Sequence, residues 1–425
     1  MSADAVRYRR RFVALSALRW FPTGLAVPVL VLLMRERGLD LATIGVVGAV
    51  YSVTILVLEL PSGGLADVVG RRPVLLVSSA LSLVAALGFA VGASVPALLV
   101  AYAVFGVARA LDTGPLQSWY VDAVLAIDPR TDLRPALSRA AAAEAAGLGA
   151  GAVTAGLLVA VSPFPEHDAV VVALSTPFLV AAAVGAVHLA AVWWWVDERL
   201  PVVEGSGEAP TRLRAAVAGV PATIARGLAL ALRGGPVRRV VLFTLTLGFA
   251  LAGIELLAPI SFAEMLGGEA RAATAYSVLV TAGFAGSAAG SALAPACARL
   301  LRSSPRAVLF ASLAAALALG AVAVPVLGVA AAAFVAFYLL LGVAGPLVDD
   351  LTHRAVTATE RTTVLSVSST ALQLGGAVVG VGVGALAQST SVATGLLVVA
   401  AVLAAGATAM VRWPGRLRHA DDVGG

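Results

Sequence analysis

Gly63-Gly64-Leu65-Ala66-Asp67-Val68-Val69-Gly70-Arg71-Arg72-Pro73 sets one acid, two arginines and three glycines between two apolar runs, each long enough to cross a bilayer. Charge placed between membrane helices is costly unless it is paired or hydrated, so this stretch is built for more than connection. Gly63 and Gly70 supply the backbone freedom for a tight turn. Working outward in both directions, the chain reads as a series of membrane spans.

The 425 residues are 60% hydrophobic and only 12% charged, with a mean hydropathy of +0.96. Soluble domains carry about 25% charged residues, so this balance belongs to an integral membrane protein. Cys297 is the single cysteine, which excludes an internal disulfide and a cysteine metal cluster. All 29 basic residues are arginine, a composition expected of a GC-rich bacterial genome. The first apolar run is too long for a secretory h-region and lacks a small-residue cleavage site, so it reads as a first span.

About 20 apolar residues cross the hydrocarbon core. Twelve stretches qualify, near residues 12–34, 41–62, 73–93, 96–121, 137–160, 169–195, 238–260, 273–297, 307–327, 329–351, 362–386 and 391–411. With the N-terminus inside, 24 of the 29 arginines fall in cytoplasmic segments, against Arg35, Arg37 and Arg271 outside and Arg19 and Arg109 within spans. The positive-inside rule therefore puts both termini in the cytoplasm and accounts for the basic pI without nucleic acid. The expected fold is all-α, with an N-terminal six-helix half (1–196), a cytoplasmic linker (197–237), a C-terminal half (238–412) and a tail (413–425). Arg212, Arg214, Arg226 and Arg233 alternate with apolar residues in the linker, which predicts an amphipathic helix at the membrane surface.

The residues Gly63, Leu65, Ala66, Asp67, Gly70, Arg71 and Arg72 fall in register with the loop signature G-x-L-A-D-x-x-G-R-R/K of the major facilitator superfamily, with Val68 in place of its usual basic residue. The resemblance implies two six-helix halves related by an axis along the membrane normal, with a substrate path between them. It implies a conformational switch in which Asp67 faces a helix N-terminus of the other half, near Arg361-Thr362-Thr363, while Arg71 and Arg72 hold Asp67 and neighbouring helix ends. Ala298 to Arg306 is a weak echo of the loop, keeping arginines and proline without an acid.

Charges inside spans are functional candidates by default. Arg109 and Asp112 are three apart on one face of span four and can pair, either for function or to fix helix packing. An arginine in span four also resembles a feature tied to proton coupling in drug antiporters. Glu144, two turns into span five, either titrates or pairs across helices with Arg19 or Arg109. Gly147, Gly151 and Gly156 resemble the span-five antiporter motif G-x-x-x-G-P-x-x-G-G, with Ala152 and Ala155 in place of its proline and one glycine. Glu255 in span seven is expected either to line the cavity or to sit in water near the outer rim. Gln117 and Trp119 are expected at the cavity with Arg19. Asp122 is expected to be solvated or to bridge the halves, and His188 to be a satisfied polar contact.

The resemblance implies a secondary transporter whose proton-coupling candidates are Arg109, Asp112 and Glu144, driven by a proton gradient with no cofactor and no metal, working as a monomer in a bacterial inner membrane on a small-molecule substrate. Apolar spans with isolated charges favour export of amphiphilic or cationic compounds. The alternative is an importer or facilitator of a small metabolite on the same fold. No H-E-x-x-H, G-x-S-x-G or phosphate loop supports an enzyme.

Overall fold

The computed structural model describes residues 3–112, 114–197, 229, 235–356, 358–411 and 413, excluding the side chains of 59–64, 67, 68 and 358–363. Every regular element among them is helical. Twelve stretches are long and apolar enough to cross a membrane: Ala3–Glu36, Leu41–Leu58, Arg71–Val91, Val95–Leu125, Arg134–Ala160, Ala173–Trp195, Gly235–Leu266, Glu269–Leu300, Ser304–Ala321, Leu327–Arg354, Val364–Ser389 and Val392–Met410. They are spans one to twelve, and the all-helical, twelve-span fold expected from the sequence is the one observed. The amphipathic-helix expectation for the linker falls outside the described residues.

The packing shows the duplication. Span one packs on five and six, span two on four, and span three on four and six. Shifted by six, the same pairs recur: seven on eleven and twelve, eight on ten, nine on ten and twelve. The halves meet along two seams, two against eleven and five against eight, which the same symmetry exchanges.

Lipid gives helices little hydrophobic reason to associate, so small residues that admit close backbone approach decide the partners. A Cβ on Gly147 or Gly151 would collide with the carbonyl of Ala17 or Phe21 in span one, so two of the three span-five glycines set the packing of spans one and five. The third, Gly156, faces the other half, where a Cβ would lie 2.8 Å from the Ser277 Cβ. Gly45 and Gly380 meet backbone to backbone on the other seam, where span eleven holds a π-helical turn, Val379–Val383.

The end of the bundle bearing the start of span one and the end of span twelve is here the basal end. One apolar core joins both halves toward the far end, with Leu25, Phe178, Ile254, Tyr276 and Phe334 among its members. Toward the base each half closes on its own core, one around Tyr8, Phe12 and Trp119, the other around Phe243, Val308 and Leu347. Hydrogen bonds across the seams include the Leu41 amide to Gln388 Oε1 at 3.0 Å and the Thr281 hydroxyl to the Gly149 carbonyl at 3.3 Å. The far end is therefore closed.

Three local departures from the expected spans have plain causes. The loop expected over 63–73 is helical up to Val69, where the Gly70 amide still bonds the Ala66 carbonyl at 3.1 Å, and Gly70 alone at φ 106° reverses the chain. Span one breaks between Ala26 and Leu30 around Pro28, which has no amide to donate. Span four is interrupted between Asp112 and Pro115, with Gly114 at φ 99° and Pro115 in the first turn of the second piece.

At the far end Arg37 donates to the Phe89 and Ala90 carbonyls at the C-terminus of span three, and its NH1 also reaches Gly92 O. His167, in the segment between spans five and six, pairs with Glu36. The hydrogen bond His167 donates to Glu36, and then the Glu36 charge, hold the His167 pKa above its usual value. The tether is thus complete below the ordinary histidine pKa of about 6.5 and is lost as pH rises through the raised value. Amide exchange across residues 162–175 is expected to speed up over that rise in wild type and to lose the pH step, beyond intrinsic chemistry, in His167→Gln.

Candidate functional site

The two seams enclose a central cavity of about 400 Å³. Span two contributes Gly45, Gly48, Tyr51 and Ser52, glycines that thin the wall below a tyrosine. Span four contributes Tyr102 and Phe105, three residues apart on the face that continues to Arg109 and Asp112. Tyr51 stacks on Phe105, with centroids 5.2 Å apart and planes 20° apart, and Tyr102 meets Phe89 edge-on at 5.0 Å. The opposite wall carries Glu255 and Leu251 from span seven, Phe284 from eight, and Gln373 and Gly376 from eleven. Tyr51 and Tyr102 from one half and Tyr276 and Tyr338 from the other all lie within electrostatic reach of Glu255. The cavity can thus take a flat ring against aromatic faces while one carboxylate accepts a proton donor or faces a cation.

A second, smaller chamber of about 70 Å³ lies inside the N-terminal half. Trp20, Thr23, Ala26 and Phe105 belong to both walls, so Trp20 partitions the two spaces. Arg109 lies over the Trp20 ring at 4.7 Å and Arg19 at 5.5 Å. Asp112 ends the first piece of span four and takes the Arg19 Nε as its close partner, with Arg109 NH1 farther off at 3.9 Å. The sequence pattern pointed to Arg109 as the partner because it sees only same-helix neighbours; the break after Asp112 turns the carboxylate toward span one.

Other sequence-derived site residues fall as follows. Glu255 lines the central cavity and is exposed there. Arg19 lies in the smaller chamber. Gln117 is exposed and lines neither space. Trp119 is buried at the base, edge-on to Tyr8 at 5.6 Å, and donates to the Asp197 carbonyl at 3.2 Å. Both sit on the second piece of span four, which the break carries away from the cavity. Glu144 is half-buried and has no ion pair among the described residues; its expected partner Arg19 is taken by Asp112.

The switch stretch is seen in part. Arg71 pairs with Asp122 at 2.8 Å, and Arg72 donates to the Trp193 carbonyl at 2.7 Å while lying over the Trp193 ring at 4.8 Å. Asp122, expected solvated or bridging the halves, is thereby held within its own half. Gly63, the Asp67 side chain and those of Arg361 to Thr363 lie outside the described residues. The sequence reading missed Trp20, Tyr51, Tyr102, Phe105 and Phe284; the spacing of Tyr102, Phe105, Arg109 and Asp112 along one helical face was the available signal.

A duplicated twelve-span bundle, closed at one end around a central cavity between its halves, is the build of a membrane carrier. The family described as Major Facilitator Superfamily matches residues 12–380. The chain belongs to that superfamily, and it is a transporter, not an enzyme. No curated protein sequence matches it. Among solved structures it is similar to the nucleoside transporter NupG, with a TM-score of 0.74 at 14% identity, covering 96% of this chain and 100% of that one. The human organic anion transporter MFSD10 (TETRAN) gives a TM-score of 0.61 at 16% identity, with the same coverage. At such identities the likeness concerns the fold.

Removing one partner of a buried ion pair leaves the other uncompensated, at a cost of about 3–5 kcal/mol. Arg19 and Asp112 are only 15% and 13% exposed. Asp112→Asn is expected to lower the melting temperature of the purified protein markedly, while Asp122→Asn, whose side chain is 48% exposed, changes it little.

Proposed function

We propose that this protein moves a small organic solute through the central cavity by alternating access, with Glu255 and the Tyr51, Tyr102 and Phe105 wall as its binding groups. Of the two readings drawn from the sequence, uptake or facilitated passage of a metabolite has the better support. The observation that carries it is the wall itself. Efflux was inferred from a greasy cavity; this wall is largely apolar but sets tyrosines, Ser52, Thr23 and Gln373 beside Glu255, hydrogen-bonding groups that a polar metabolite can use. The names of the similar solved structures, a nucleoside and an organic anion transporter, lean the same way.

Proton-driven export of an amphiphilic cation is the second reading, and the lone carboxylate at Glu255 favours it. In either case the arginine bias supports cytoplasmic termini, so that the closed far end faces outside, and the composition supports a bacterial inner membrane. Arg109, Asp112 and Glu144 are the proposed coupling groups, and Asp67 with Gly63, Gly70, Arg71 and Arg72 the proposed basal switch. The working unit is proposed to be a monomer.

Counterflow into proteoliposomes, run with labelled nucleosides, aromatic amines and organic anions, tests the reading. A solute is expected to exchange without an imposed gradient, and Glu255→Gln is expected to weaken it by roughly 10- to 100-fold, as for a lost charge-assisted hydrogen bond. Solute-triggered proton release from energised inverted vesicles, with no counterflow, would overturn uptake in favour of export.

A further inference from the structure

The smaller chamber holds a titratable group that the binding cavity does not use. His188, from span six, is only 7% exposed and lines the chamber. Its Nδ1 lies 3.1 Å from the Ser79 hydroxyl, and that hydroxyl donates to the Leu75 carbonyl at 2.7 Å. With the Ser79 proton committed, Nδ1 must be the donor, so the ring is the Nδ1–H tautomer and Nε2 carries a free lone pair. Nε2 is buried and has no hydrogen-bond partner among the described residues. A buried acceptor left unsatisfied is costly, and such an exception in a polar chamber calls for an occupant.

The groups around it are few. Span one presents Arg19 and span four presents Arg109 and Asp112; span three presents only the hydroxyls of Ser78, Ser79 and Ser82. Ser78 is itself engaged, donating to the Ala108 carbonyl at 2.8 Å. Asp112 and Arg19 are the charges within electrostatic reach of the ring. The chamber has room for a small number of waters and shares the Trp20 partition with the central cavity.

We propose that the chamber behind Trp20 is a proton-binding site, with His188 Nε2 as the base and Asp112 as the counter-charge. Water entering from the central cavity relays a proton from the aqueous phase as hydronium: its O–H bond breaks, the Nε2 lone pair forms the new N–H bond, and neutral water is left. Asp112 then stands between two cations, Arg19 and the imidazolium, and its hold on Arg19 is divided. Arg19 lies over Trp20, so the wall of the binding cavity feels the change. The site adds a proton store to the transporter whatever its solute and direction.

The test needs no substrate. His167→Gln, His353→Gln and His419→Gln together leave His188 as the one histidine of the chain. Nitrogen NMR of this ¹⁵N-histidine-labelled protein in liposomes is expected to show the Nδ1–H form at about pH 8 giving way to the doubly protonated form as the pH falls to about 4. Adding Asp112→Asn should lower the midpoint by at least about one unit, a tenfold loss of proton affinity. A ring that stays neutral throughout, or a midpoint indifferent to Asp112→Asn, would overturn the proposal. If the triple variant does not fold, the same signal is identified in wild type by its loss in His188→Gln.

Discussion

Helices in lipid are held by contact, and here the contacts that matter are backbone against backbone. Gly24 and Gly151 bring spans one and five together, Gly248 and Gly375 bring seven and eleven, and Gly290 and Gly342 bring eight and ten. At each of these positions a single methyl group would meet a main-chain atom that cannot move aside. The placement of Arg19, Trp20, Glu255 and Phe284 follows from these approaches, because each side chain sits on a helix whose rotation a glycine contact fixes.

The same chemistry makes the two seams unequal to the rest of the bundle. Toward the base, each half closes on a core of its own. Between halves, the far-end seam combines the shared apolar core with the close approaches of Gly45 to Gly380 and Gly156 to Ser277, and a few hydrogen bonds involving threonine and glutamine side chains. Such contacts are short and uncharged, so they can separate without stranding an ion in lipid. That is the property a gate requires: two arrangements close in free energy, between which a bound solute or proton can choose.

Much of this was legible in the sequence. Apolar run lengths gave the number of spans, because crossing a bilayer imposes a minimum length that composition must respect. Glycine spacing in span five marked a packing face, while Glu255 stood out by the expense of an acid in lipid but was left open between the cavity and the rim. What could not be read depends on partners from elsewhere in the chain. Arg19 was matched with Glu144 because its actual carboxylate, Asp112, is 93 residues away. Gln117 and Trp119 looked like cavity residues because span four was taken as continuous; Asp112-Thr113-Gly114-Pro115 carries the helix-breaking residues that say otherwise. Tyr51 and Tyr102 were invisible for the converse reason, since a tyrosine in an apolar run gives no sign of which wall it will face.

The break in span four ties these threads together. An unbroken helix would carry Gln117 and Trp119 on in the direction of the first piece; with the break, Trp119 enters the basal core. Ending the first piece at Asp112 leaves the acid at the boundary between the apolar base and the polar chamber, where an arginine from span one can reach it. Irregular backbone at membrane depth is tolerated where it is buried in protein or lines a polar space, and the chamber is such a space. The pair in turn pins Arg19 against Trp20, and Trp20 against the binding cavity. A local failure of helical propensity thus becomes the joint through which charge in the chamber can act on what the cavity binds.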